Sequence, residues 1–223
     1  MPTARESKAA LSAVTSAAVD LSGQVLVGLD GSPEVRRAGL LQAIPELIGY
    51  FTEGSAALAA DFYADERDRA RARGLFAVDL TINDRTVKIR RAVAWASDPL
   101  FSGDVEAAGK RLAQVVQFET AKPYRDTILE NRRRDPESVG WTRIAGPKAC
   151  GFCRLLASKG AIFKKATADF AAHDHCGCTA APVFRGGEQG PEASVLQYVG
   201  SRRKRTPAEK QALRDAIAHF ESL

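Results

Sequence analysis

The placement of cysteine constrains this chain more than any other feature. All four cysteines of the 223 residues fall between positions 150 and 178. They form two close pairs, Cys150-Gly151-Phe152-Cys153 and Cys176-Gly177-Cys178, separated by 22 residues, with His173 and His175 just before the second pair. A Cys-x-x-Cys sets two thiolates on one side of a tight turn, where both can reach a tetrahedral ion at about 2.3 Å. Gly151 lets that turn close sharply, and Lys148 and Lys159 favour the thiolate form. The pattern predicts one zinc ion, because thiolates are soft ligands and the cysteine run of iron–sulfur proteins is missing. Spacing leaves the ligand set open. It is either the four cysteines, or Cys150, Cys153, His173 and Cys176 with Cys178 behind them, and His175 is one candidate more.

The compartment expected for such a cluster is a reducing one. Residues 1–18 lack a continuous apolar stretch and a cleavage site, which argues against export. In a reducing cytoplasm, clustered cysteines are more often metal ligands than disulfides. No run of eighteen apolar residues occurs, so no membrane span is expected.

Charge sharpens the division of the chain. Residues 1–111 carry 14 Lys and Arg against 15 Asp and Glu, whereas residues 112–223 carry 18 against 12. The basic excess thus travels with the cysteines. Arg132-Arg133-Arg134 and Arg202-Arg203-Lys204-Arg205 are its densest runs, and without interleaved aromatics they suit phosphates or carboxylates rather than bases. The first run also suits the C-terminal end of a helix dipole, whatever else it touches.

Before the cysteines the pattern is helical. Residues 1–18 read as a frayed tail or a weak helix. Ser32-Pro33-Glu34 is a helix start, and Pro45 is expected to kink or restart that helix. A second helix is read over Ala56 to Arg73, stopped by Gly74. Phe76, Val78, Leu80 and Ile82 alternate with polar or small residues, the signature of a half-buried strand. Helices follow after Asn83-Asp84, after Ser102, and from about Pro123 to Arg134. Asp135-Pro136 breaks the last of these. Short strands are expected at 141–145 and 179–184, the latter at an edge because Pro182 cannot donate. Thr206-Pro207-Ala208-Glu209 is a capping box before a closing helix, on which His219 reads as a surface residue.

The fold class expected is α+β. A helical region covers residues 1–135, a zinc-stabilised region with short strands 136–185, a basic linker 186–205, and a C-terminal helix 206–223. Zinc would replace the apolar core that so small a region cannot build alone.

Catalytic readings of the same residues fit less well. A nucleobase deaminase needs His-x-Glu ahead of its Pro-Cys-x-x-Cys, and neither the order nor the glutamate is present. His173-Asp174-His175 could serve a metal-dependent nuclease of the HNH kind with His173 or His175 as base, but no second His/Asn element follows. Phosphate-binding loops and nucleophile elbows are also missing. The expectation is therefore a non-enzyme with no small-molecule substrate, and the nuclease stands as the alternative. A host DNA-binding zinc protein is a further rival.

Arg143-Ile144-Ala145, the Cys150–Cys153 motif, Leu155-Leu156-Ala157-Ser158, Lys159-Gly160-Ala161, His173–Cys178 and Pro182-Val183-Phe184 together resemble the phage Mu F-like minor head protein domain. The version they resemble belongs to tailed phages of actinobacteria. In that family a Cys-x-x-Cys precedes a His-x-x-Cys-x-Cys segment, whose positions fall here on His173, Cys176 and Cys178. Asp174 stands where the family often has proline. The resemblance is specific over residues 140–185 and general elsewhere. It implies a structural minor capsid protein for head morphogenesis, with portal and major capsid proteins as partners. It also implies contact with packaged double-stranded DNA, and a location in the virion after assembly in the host cytoplasm.

Overall fold

The computed structural model describes residues 2–146, 149–158, 163–164, 170, 177–185 and 206–222. Helices α1 (Ala4–Gly28), α2 (Pro33–Arg69), α3 (Thr86–Ser97) and α4 (Val105–Arg134) form the body, with a 3-10 turn at Asp98–Ser102. Strand β1 (Ser138–Ile144), helix α5 (Gly151–Ser158), strands β2 (Phe163–Lys164) and β3 (Thr179–Phe184), and helix α6 (Pro207–Glu221) follow. The sheet has the order β2-β1-β3 with both pairings antiparallel, so β3 lies at an edge, as Pro182 requires. The class is α+β, as expected.

The N-terminal segment is a full helix, not a frayed tail. Thr3 and Glu6 form a reciprocal capping box, which satisfies backbone donors that the first turn cannot. The buried positions of α1 are Ser7, Leu11, Thr15, Ala18, Ser22 and Leu26, at steps of three and four. That stripe of mostly small side chains lets α1 lie close against α2 and α4, and Ser7 Oγ meets Tyr124 OH at 2.6 Å. By length and composition alone α1 could cross a membrane, which an inspection for unbroken apolar runs misses. Here its inner stripe is occupied by protein.

Two prolines that were expected to divide helices do not. Pro45 lies inside the 37-residue α2, and Pro123 inside the 30-residue α4. An internal proline costs about 3 kcal/mol. Leu40, Ile44 and Ile48, all at 1% exposure or less, each contribute about 1.5–3 kcal/mol by burial on one face of α2. Continuity wins. The helix read separately over Ala56–Arg73 is the C-terminal part of α2, which ends at Arg69, four residues short of Arg73, and Arg71 takes up the positive φ that Gly74 also has.

The alternating segment 76–82 is extended but joins no sheet. Thr127 Oγ1 accepts from Thr81 N at 3.0 Å. Asn131 both accepts from Asp79 N (2.9 Å) and donates to Asp79 O (2.7 Å). Thr127 and Asn131, one turn apart on α4, thus do for this segment what a neighbouring strand would do. Arg134 adds an ion pair with Asp79 and lies over Phe76.

Two apolar clusters hold the body together. The first joins the far ends of α1 and α2 to α3 and the start of α4, through Leu26, Ile44, Val93, Leu112 and Val116. The second joins the other ends of α1, α2 and α4 to the sheet, through Phe62, Tyr63, Tyr124, Ile128, Trp141 and Phe184. Two buried carboxylates among the described residues are paired with cations. Glu119 takes two bonds from Arg85 at 2.6 and 2.7 Å. Asp135, fully buried, accepts from Arg67 Nε (2.9 Å), Tyr63 OH (3.3 Å) and the Glu137 amide (3.0 Å). That carboxylate fixes the turn from α4 into β1. Burial, reinforced by the Asp135 charge, raises the Tyr63 ionisation well above the usual tyrosine value, and burial does the same for Tyr124.

Candidate metal centre and its docking on the central helix

The two cysteine pairs sit at the starts of two elements. Cys150 immediately precedes α5, and Cys153 lies in that helix's first turn. Cys178 immediately precedes β3. The Cys-x-x-Cys is therefore a helix entry rather than a free-standing turn.

Cys153 and Cys178 are 1% and 2% exposed and belong to one small cluster. Cys150, half-buried, packs against them together with Ala145, Ala149, Phe152 and Phe170. So three of the predicted ligands converge. His173 and Cys176 of the predicted set, with the further candidate His175, lie outside the described residues. Among the described residues no three His, Cys, Asp or Glu side chains are grouped closely enough to hold an ion.

Two arginines to which the sequence assigns no site role complete the surroundings. Arg143 of β1, 3% exposed, directs Nη1 at Cys153 Sγ across 3.7 Å. Arg125 of α4, also 3% exposed, donates from Nε to the Cys178 carbonyl at 3.0 Å. Both guanidinium groups lie over the Phe170 ring, at 3.8 and 5.0 Å from its centre, and Phe170 packs on Trp141. Sulfur donors beside buried cationic N–H groups suit thiolates bound to a soft ion. The donor chemistry fits zinc. Sequence offered a faint signal for Arg125, which falls on the same helical face as Ile128 and Leu129. For Arg143 and Phe170 there was none, because their roles depend on the fold.

The basic runs divide. Arg132, read as a surface contact, is completely buried. It follows Ile128 and Leu129 by four and three residues, so helix geometry turns it inward. Arg133 is exposed and bonds Glu130 at 3.2 Å. Arg134 is exposed and spends its charge on Asp79 and the Ala77 carbonyl. Arg202, Arg203, Lys204 and Arg205 lie outside the described residues. Helix α6 starts with the predicted box, Thr206 Oγ1 accepting from Glu209 N at 3.2 Å, and packs against α5.

A cavity of about 530 Å³ opens between the extended segment, α4 and Phe170, lined in part by Thr81, Lys122, Arg125, Asp126 and Glu130. Its charges pair internally, Lys122 Nζ reaching both Asp126 oxygens at 2.7 Å. It offers an incoming anion no surplus charge at that pair.

A family profile described as VG15 protein matches residues 2–199, covering the helical body and the cysteine region together. No curated protein and no solved structure matches the chain.

Proposed function

The chain belongs to the VG15 protein family, a family of viral (phage) proteins, and from that premise we propose a structural minor capsid protein of the Mu F-like kind. It acts in head morphogenesis beside the portal and major capsid proteins, in the host cytoplasm during assembly and then in the virion. Zinc is its structural ion. Cys150, Cys153 and Cys178 would hold it with Cys176 or His173.

One observation carries the structural over the catalytic reading. Cys153 and Cys178 are buried together in one small cluster, and Arg125 of α4 holds the Cys178 carbonyl. A catalytic zinc keeps a position open to water, whereas a structural zinc is enclosed by its ligands. The exposed Arg133, with Arg202, Arg203, Lys204 and Arg205, would meet double-stranded DNA through phosphates, or an acidic portal surface.

Proteomics and imaging of purified virions test the role. The protein is expected in the head, in few copies near the portal, and its absence from particles would overturn the proposal. A plasmid-cleavage assay with magnesium or manganese addresses the nuclease alternative. Cleavage that disappears in folded His173→Ala and His175→Ala proteins would replace the structural reading.

A further inference from the structure

Arg143 lies two residues beyond Trp141 in β1, so strand alternation puts both side chains on one face. Both are buried, at 3% and 1% exposure. A guanidinium withdrawn from water to that degree is costly unless charged or polar groups replace its hydration. The Arg143 backbone is held by antiparallel pairing with Ala180 of β3, two residues past Cys178. Its Cζ lies over the Phe170 ring, 3.8 Å from the centre, and its Nη1 is directed at Cys153 Sγ across 3.7 Å. Arginine can stack on an aromatic face and still donate from its rim. Here it does both.

We propose that Arg143 is a positioning residue for the zinc complex. Its Nη1–H donates to the Cys153 sulfur, fixes where that sulfur points, and offsets negative charge that the thiolates bring into the core. This role rests on zinc being bound by Cys150, Cys153 and Cys178. Three thiolates on a divalent ion leave a net negative charge whichever residue is fourth, and a buried charge needs a counter-charge close by. Arg125 is also buried beside the cysteines, but its Nε bond goes to the Cys178 carbonyl. Arg125 thus steadies backbone, whereas Arg143 reaches a ligand atom itself. Donors placed behind a metal's ligands orient them and tune the ion's affinity.

Full-length protein freed of metal, then loaded with zinc or with cobalt(II), provides the test. Arg143→Met keeps an apolar stem and removes the donor and the charge. It should weaken zinc binding roughly 10- to 100-fold. It should also move the sulfur-to-cobalt charge-transfer absorption to longer wavelength, because the N–H no longer stabilises the sulfur lone pair. Arg143→Lys, which keeps a charge and a donor, should recover part of both changes.

Weaker binding with an unmoved absorption would make Arg143 a packing residue and overturns the proposal. A folded Met variant that binds both metals as the unaltered protein does overturns it too. If Arg143→Met does not fold, the unaltered protein carrying cadmium, enriched in its magnetic isotope, decides. Nuclear magnetic resonance should then show a coupling between the cadmium and an arginine Nη proton through the Cys153 sulfur, and its absence overturns the proposal. An unaltered protein that takes up none of these metals contradicts the zinc reading itself, and the role of Arg143 falls with it.

Discussion

The helical body and the cysteine region solve the same problem with opposite means. The body distributes its stability over two apolar clusters that run the length of α1, α2 and α4. Around its cysteines the other region has two buried sulfurs and a few small or half-buried neighbours, with an arginine bond to α4 beside the apolar packing of its sheet on the body. A wide core tolerates local injury, because each residue holds a small share of the total. A knot does not. The contrast teaches that the first region can be expected to fold without the second, and not the reverse.

The comparison breaks most sharply at a metal ligand. Cys153→Ser, or removal of zinc by a chelator, is expected to cancel a site worth on the order of 10 kcal/mol of coupled folding. The expected result is loss of about one zinc per chain by elemental analysis, with a red shift of Trp141 emission. Far-ultraviolet dichroism should keep most of its helix signal. Zinc-free protein of unchanged stability would end the metal proposal.

Leu112→Ala tests the other side, since Leu112 is 1% exposed in the cluster remote from the sheet. It should cost about 2–5 kcal/mol in denaturant unfolding while zinc content stays unchanged. If zinc is lost too, the regions are less separable than their cores suggest.

Arg125→Met cuts the tether while keeping a similar apolar volume. The Cys178 carbonyl loses its charged donor, a loss of about 1–3 kcal/mol. Zinc should be retained but released faster to a colorimetric chelator.

Some of this was legible beforehand and some was not. The strands at β1 and β3, the α6 capping box and the Ser32 helix start follow from local chemistry, and each appears in place. The local penalty at Pro45 and Pro123 predicts helix boundaries there, and the burial that keeps α2 and α4 continuous lies outside the local pattern. Alternation at Phe76–Ile82 predicts a half-buried strand that does not form, because the segment's partners are the Thr127 and Asn131 side chains, 46 and 52 residues away in sequence. No period within the segment could name them. Arg132 was the avoidable error. Its spacing from Ile128 placed it inside, and the run of three arginines disguised that.

A smaller effect separates the regions by pH. Tyr63 and Tyr124 have ionisations raised in the folded state, so the stability they contribute is complete below the unfolded tyrosine value near 10. It is lost as pH rises toward the folded value. Absorbance titration should show both tyrosines resisting ionisation until the second cluster opens. Ionisation in step with exposed tyrosine would contradict their burial. The smallest change is Thr3→Ala, which removes a cap worth about 1 kcal/mol. It should lower the melting temperature slightly, with no effect on zinc.

The dependence of segment 76–82 on Thr127 and Asn131 also has an order in time. A ribosome delivers the extended segment well before it delivers the helix that holds it. Because domains tend to fold as units once their chain has emerged, residues 76–82 are expected to stay unattached until Thr127 and Asn131 have been made. Translation speed across residues 83–131, and chaperone access there, should then govern how much of the protein reaches its native form.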